Sequence, residues 1–396
     1  MTRRASDAND RWIIPDLELE RWLGAAMQAF LHTVASSGHR ESLFETGASQ
    51  TGALQTGASE GSAMEGPAVD GVGPSDRDIR YVHRWWPEGV SAWGALTIVH
   101  GFGDHGGRFE GMATSLASFG MAVTAVDLIG HGRSPGRRGV IDSYEQLLDE
   151  VETSVELSRR SWPGVPQFLF GQSMGGNLVI NWLLRRASRA SRIQGAIVAA
   201  PLIRASCTPR EKYMRAGRWL ADRLPNFRLP TPSRVEWLCA ERRAQDAYRR
   251  DPLVHRTMSL RLATSLVDSG LWAMERAGDL SVRSLLLHGS EDRLTCPKAT
   301  EEFAARAGGN ADFVLCQGCR HELHEEAPRE YLFETIAQWA KSRCLEAWVT
   351  PSNSRHHFRA NSRAIGELPR ISGQTVLLGG ASIEGLAQGS YTAPGL

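Results

Sequence analysis

Apolar and polar positions along the middle of this chain follow two distinct periods. Short apolar runs at 79–86, 95–100, 121–127, 168–170, 193–200, 282–288 and 313–316 have the length and composition of buried strands. Between them apolar residues recur at helical spacing: Phe109, Met112, Ala113, Leu116 and Ala117, then Tyr144, Leu147, Leu148, Val151 and Val155. Gly120 is placed to end the first of these helices and Pro163 to stop the second. Further helices are predicted from the glycine-rich 171–176 as far as Leu184, near 297–307 and over 329–341. Strands alternating with helices of this length predict a parallel sheet covered on both faces. Only 202–276 breaks the alternation. It is helical in character, rich in Arg and Trp, and reads as an insertion over the sheet.

The flanks differ from this middle. Residues 11–35 place Trp22, Ala26, Phe30 and Val34 on one helical stripe, an amphipathic helix. Residues 45–76 hold no aromatic residue and seven glycines, with an imperfect pentad beginning Thr46-Gly-Ala, Thr51-Gly-Ala and Thr56-Gly-Ala. Such a segment buries too little apolar area to offset its ordering entropy, and it reads as a flexible linker. Past 345 the periodicity fades into small residues, and a poorly ordered tail is expected. The expected division is an extension and linker (1–76), a core in two parts (77–201 and 277–344), a helical cap (202–276) and a tail (345–396).

Composition narrows the function. The 396 residues are 42% hydrophobic and 22% charged, with a formal net charge of +1, ordinary for a globular protein. Near-neutrality argues against a protein that coats nucleic acid, and no nucleic-acid partner is expected. No apolar window is long enough to cross a membrane, and the first residues are too broken for a secretory leader. The expected location is the cytoplasm. Six cysteines make no disulfide framework, and the Cys316–Cys319 pair lacks the second pair of a zinc site.

Gly171-Gln172-Ser173-Met174-Gly175 is a GxSxG sequence lying after a strand and before a helix. On that sharp turn a serine hydroxyl stands above the sheet, and the glycines leave room for it. A serine nucleophile needs a base, and the base an orienting carboxylate, in the chain order Ser, Asp or Glu, His. The acidic loop after 282–288 offers Glu291 and Asp292; the loop after 313–316 offers His321 and His324. His321 comes first in its loop and is preferred as the base. The oxyanion of an acyl-transfer intermediate needs two donors. The backbone N–H groups of Met174 and of Phe102, in His100-Gly-Phe-Gly-Asp-His105, are the candidates. The histidines of His321-Glu-Leu-His324 are three apart, whereas HExxH metal sites space them four apart, so no metal and no cofactor is expected. His100, Asp104, His105, Asp127, His131 and Ser134 could tempt as ligands, but their glycine-rich loops suit tight turns and a structural role.

Six motifs in order now resemble a known family: residues 100–109, 127–134, 171–176, 251–253, 289–294 and 321–325. Together they look like the monoacylglycerol lipase and lysophospholipase branch of the α/β-hydrolase superfamily, often grouped with serine aminopeptidase-like hydrolases. The resemblance covers about 79–342. It implies an α/β-hydrolase fold, a mostly parallel central sheet flanked by helices, with a helical cap. It also implies a triad of Ser173, Asp292 and His321 with an oxyanion hole at Phe102 and Met174, and its Gly-Ser-x-Asp pattern selects Asp292 over Glu291. One departure stands out: the residue before the nucleophile, usually His in this branch, is Gln172.

The activity this implies is hydrolysis of a fatty-acyl ester of a monoacylglycerol or lysophospholipid through an acyl-enzyme. A peptidase, an amidase or a short-chain carboxylesterase would use the same triad, although the cap offers no evident acidic pair to anchor a substrate amine. A non-catalytic binding module would have no need of the ordered Ser, Asp and His. The cap carries fifteen Arg or Lys against eight Asp or Glu, net +7 where the whole chain is +1. That surplus, interleaved with Trp219, Leu220, Phe227 and Trp237, suits peripheral contact with an anionic membrane. Head group, chain length and oligomeric state are not legible.

Overall fold

The structure is a computed structural model and describes residues 80–206, 211–231, 233–349 and 376–378. The expected helix at 11–35 and linker at 45–76 lie outside the described residues, as does most of the expected tail.

The apolar runs form the strands β1 (Val82–Trp85), β2 (Gly94–Val99), β3 (Met121–Val126), β4 (Gln167–Gln172) and β5 (Gly195–Ala199). The stretch 202–276 supplies β6 (Arg228–Pro230) and β7 (Thr257–Ser259), and the chain returns through β8 (Ser284–Gly289), β9 (Ala311–Cys316) and β10 (Val376–Leu378). The central sheet has the order β1-β3-β2-β4-β5-β8-β9-β10, and only β1 runs antiparallel to its neighbour.

Helices cover both faces because successive strand residues point to opposite sides and those of β2, β3, β4, β5 and β8 are buried on both. On one side Leu96, Phe168, Phe170, Leu285 and Leu287 meet α1 (Glu110–Ser118) and, at the far end of the chain, the helix Arg329–Val349. On the other, Leu169 and Leu286 meet α2 (Tyr144–Ser161) and α3 (Met174–Arg185). The expected stops hold. Gly120 follows α1 in the left-handed region at φ +85°, which glycine adopts without steric cost. Ser143 caps α2 by accepting from the Gln146 N–H at 3.1 Å.

The stretch 202–276 contains α4 (Glu211–Arg223), α5 (Arg242–Arg250) and α6 (Leu260–Glu275), and the core resumes with α7 (Pro297–Ala307) before α8 (Arg329–Val349). The cap is not purely helical, as the sequence had suggested: β6 and β7 pair antiparallel, Arg228 opposite Ser259 and Pro230 opposite Thr257. The last helix also runs on past the expected 341, and β10 adds an edge strand beside β9. The cap is tied to the core at Ser259, whose N–H donates to the Gly139 carbonyl at 2.8 Å, and at Asp251, which lies 2.8 Å from His105 Nε2. The loops after β2, β4, β8 and β9 all leave the carboxyl edge of the sheet, where ligands bind in open α/β sheets.

Candidate active site

Ser173 occupies the turn between β4 and α3 with φ +56° and ψ −114°. A non-glycine residue there costs on the order of 1–3 kcal/mol and persists only where its surroundings enforce it. They do so here. The Ser173 N–H donates to the Ala199 carbonyl at 3.0 Å, and its own carbonyl accepts from Leu202 at 3.1 Å and Asn177 at 3.0 Å. A Cβ at Gly175 would lie 2.0 Å from the Val99 carbonyl oxygen, and one at Gly171 would lie 2.5 Å from that of Gly175. Both glycines are therefore demanded by close backbone approach, and the serine is presented at the N-terminus of α3.

His321 is buried, and its Nδ1 is 2.7 Å from Asp292 Oδ2. Asp292 is held from every side. Its Oδ1 accepts from the backbone of Leu294 at 2.7 Å and Thr295 at 3.0 Å, while Oδ2 also accepts from the Thr295 hydroxyl at 2.7 Å and faces His288 Nε2 at 3.1 Å. Burial pushes its pKa up, but the charges and hydrogen bonds of His321 and His288 prevail and hold it well below the usual carboxylate range. Burial likewise pulls the His321 pKa down, and Asp292, Glu322 and Asp104 more than reverse this, leaving it above the ordinary imidazole value. Glu291 has an exposed side chain and does not join this group.

His324 sits elsewhere. It stacks on Phe109 at a centroid separation of 4.4 Å, its ring nitrogens have no hydrogen-bond partner among the described residues, and burial lowers its pKa to about 4. Ser173, His321, Phe102 and Met174 line one cavity of about 310 Å³ between the sheet edge and the cap. Its wall is mainly apolar, with Leu229, Trp237, Met258 and Leu266 among the contributors. Met174 begins α3, where backbone N–H groups lack intrahelical acceptors. Gln172 also lines this cavity, and a Cβ at Gly101 would fall 2.4 Å from its Oε1.

The remaining polar motifs are tied into structure. His100 donates from Nδ1 to the Gly101 carbonyl at 2.8 Å and accepts at Nε2 from Leu128 at 3.0 Å. Ser134 donates to the Asp127 carbonyl at 2.6 Å, and His131 Nδ1 meets the Ile129 carbonyl at 3.0 Å. His83, His105 and Asp127 bring one ligand-type atom each within 4.8 Å of one another. Those atoms already serve each other and the backbone. The Asp127 carboxylate accepts from the N–H groups of Gly106 (2.7 Å) and Arg133 (2.8 Å) and faces His83 Nε2 at 3.2 Å, and His105 Nδ1 accepts from Gly107 at 3.2 Å. Sequence reasoning passed over His83, His288, Thr295 and the buried ion pair between Arg108 and Glu322. Arg108 and Glu322 do lie inside motifs it had singled out, so position was visible and partnership was not.

The sequence profile described as serine aminopeptidase, S33, matches residues 91–328. An abhydrolase domain-containing protein of Dictyostelium discoideum is 29% identical over 69% of this chain, which spans only 29% of that longer protein. Human monoglyceride lipase is 31% identical, over 69% of this chain and 90% of the relative. The crystal structure of the monoacylglycerol lipase of Paleococcus ferrophilus superposes with a TM-score of 0.60 at 27% identity, covering 67% of this chain and 99% of that one.

Proposed function

This chain belongs to the serine aminopeptidase, S33 family, in the monoacylglycerol lipase branch of the α/β-hydrolases, and from that premise we propose that it cleaves single fatty-acyl esters of a monoacylglycerol or lysophospholipid with Ser173 as nucleophile. One observation carries the reading: a serine on a strained turn and a histidine held by a buried carboxylate open together on a mainly apolar cavity.

The chemistry follows from the groups in place. The Nδ1–H of His321 donates to Asp292, which leaves Nε2 free to take the Ser173 proton as Oγ attacks the ester carbonyl. Negative charge then develops on the carbonyl oxygen, where the N–H groups of Met174 and Phe102 are the donors. Collapse of the intermediate expels the alcohol, which takes its proton from His321. Water then attacks the acyl-Ser173 ester by the same route in reverse, with His321 again the base. The apolar wall receives the acyl chain. The cap, which forms the cavity roof, meets the lipid surface with the exposed Trp219 on α4.

Peptide or amide hydrolysis has one observation in its favour, because Asp104 and Glu322 line the same cavity and a substrate amine needs an anion. Arg108 stands between those two carboxylates, however, and answers their charge. A panel of 4-nitrophenyl esters from C2 to C16, monoolein, lysophosphatidylcholine and an aminoacyl anilide separates the readings. The expected result is turnover of monoolein or lysophosphatidylcholine above that of the anilide. Ser173→Ala should remove it by a factor on the order of 10⁶ and abolish fluorophosphonate labelling. Preference for the anilide, or labelling at another serine, would sink this assignment.

A further inference from the structure

Arg108 is buried, with its side chain 8% exposed, beside two equally buried carboxylates. Its guanidinium donates to both Glu322 oxygens, at 3.0 Å and 2.7 Å, in a bidentate fork, and its Nη1 lies 3.1 Å from Asp104 Oδ1. Each partner belongs to a different part of the proposed machinery. Asp104 and Arg108 are on the loop after β2 that carries Phe102; Glu322 follows the base, His321, in the loop after β9. The Glu322 N–H is in turn fixed to the Leu238 carbonyl of the cap at 2.7 Å, and the guanidinium lies over the cap's Tyr248 ring at 4.8 Å. Nothing in the triad chemistry uses this cluster, yet burying three charges is costly unless each is paired.

We propose that Arg108 is a positioning residue that locks the loop of Phe102 to the loop of His321, while its charge offsets Asp104 and Glu322 beside the base. The inference rests on the reading of Ser173 and His321 given above. A planar fork suits the task, because two parallel hydrogen bonds fix orientation where a point charge fixes only distance. The electrostatic side follows from counting. From β8, His321 faces Asp292, with His288 behind it. From the loop after β2 it faces Asp104, which is paired with Arg108, and its own loop adds Glu322 and His324, with Glu325 beside Glu322 and Arg108. The cap contributes Tyr248, Cys239 and His255, and Arg293 stands at the cavity wall. Burial raises the Tyr248 and Cys239 pKa values to about 12 and lowers that of His255 to about 4, so these three are neutral near pH 7. Asp104 and Glu322 thus stabilise the imidazolium of His321, and Arg108 limits how far.

The test is the pH dependence of kcat/KM on a soluble 4-nitrophenyl ester, from pH 5 to 9, for the full chain and three conservative variants. Asp104→Asn and Glu322→Gln each remove a negative neighbour of His321, so the acid limb should move to lower pH by about half to one unit. Arg108→Lys keeps the charge and loses the fork. Its limb should stay in place while kcat falls about ten- to a hundredfold at nearly constant KM. A role confined to stability would lower the melting temperature and leave every limb where it was. A limb unmoved in either carboxylate variant, or wild-type kcat in Arg108→Lys, overturns the proposal. Full activity in His321→Ala would instead indict the choice of base.

Discussion

Burial alone would strip the proton from both His321 and His324, because a desolvated imidazolium is disfavoured. What separates them is a partner. Asp292 stands 2.7 Å from His321, whereas the ring nitrogens of His324 have no hydrogen-bond partner among the described residues, so one ring is lifted above the ordinary value and the other falls to about 4. As the proposed base, His321 has to be neutral to accept the Ser173 proton. Activity should therefore be full above its raised pKa and decline as pH falls through it, with an acid limb above the unperturbed value of about 6.5. His321→Ala should be as damaging as Ser173→Ala, and the double variant scarcely worse than either, since members of one catalytic unit are strongly non-additive. His324→Ala should keep most of its activity. Steady-state rates on a soluble ester decide this, and a larger loss in His324→Ala would reverse the choice of base. At this scale the sequence was informative about order and poor about partnership. GxSxG, the acidic loop and the histidine loop were visible as motifs. The choice between Glu291 and Asp292 came from family pattern, because adjacent residues in a loop differ only by direction, which no period reports. Thr295 and His288, which hold Asp292, were invisible for the same reason.

At the scale of elements, legibility tracked burial. β2, β3, β5 and β8 are buried along their whole length and appear in the sequence as apolar runs, and the helices that cover them appear as apolar residues at helical spacing. β6 and β7 are three residues each, partly exposed, and β6 ends in a proline, so neither period nor composition announces them. α5 is also faint, since Gln245 is its one buried residue and five of its nine residues are charged. The joint between β4 and α3 was legible because it is chemically extreme. A Cβ on residue 175 would sit 2.0 Å from the Val99 carbonyl oxygen, which is backbone and cannot rotate aside. Gly175→Ala should therefore force α3 away from β2 at a cost of about 1–3 kcal/mol, and displace Ser173 with it. The expected outcome is a lower melting temperature and slower fluorophosphonate labelling of protein that remains folded. Labelling at the wild-type rate would mean that the elbow tolerates the shift.

At the scale of the molecule, charge is divided unevenly, and the sequence located the surplus without orienting it. The cap is net +7 and the rest of the chain net −6, from fifteen basic and eight acidic residues between 202 and 276. The structure adds direction. Trp219 on α4 is 52% exposed and Leu271 on α6 is 48% exposed, while Arg223 stacks over Trp219 with its guanidinium 3.9 Å from the ring centre. Arg218 pairs with Asp268 at 2.7 Å, so part of its charge is spent within the cap, whereas Arg215 is exposed. A basic residue near an anionic surface contributes about 1 kcal/mol, and a half-exposed Trp suits the interface, where its ring is part apolar and part wet. If the cap docks there, monoolein in anionic vesicles should be hydrolysed faster than in neutral ones. The gap should narrow with salt, which screens charges beyond about 8 Å at physiological ionic strength. Hydrolysis of a soluble 4-nitrophenyl ester needs no docking and should respond weakly to salt. Arg215→Glu and Trp219→Ser should slow the vesicle reaction alone, the first only at low salt and the second at any salt, because one removes a screened attraction and the other an unscreened insertion. Equal rates on both vesicle types at low salt would reduce the cap to a lid over the cavity.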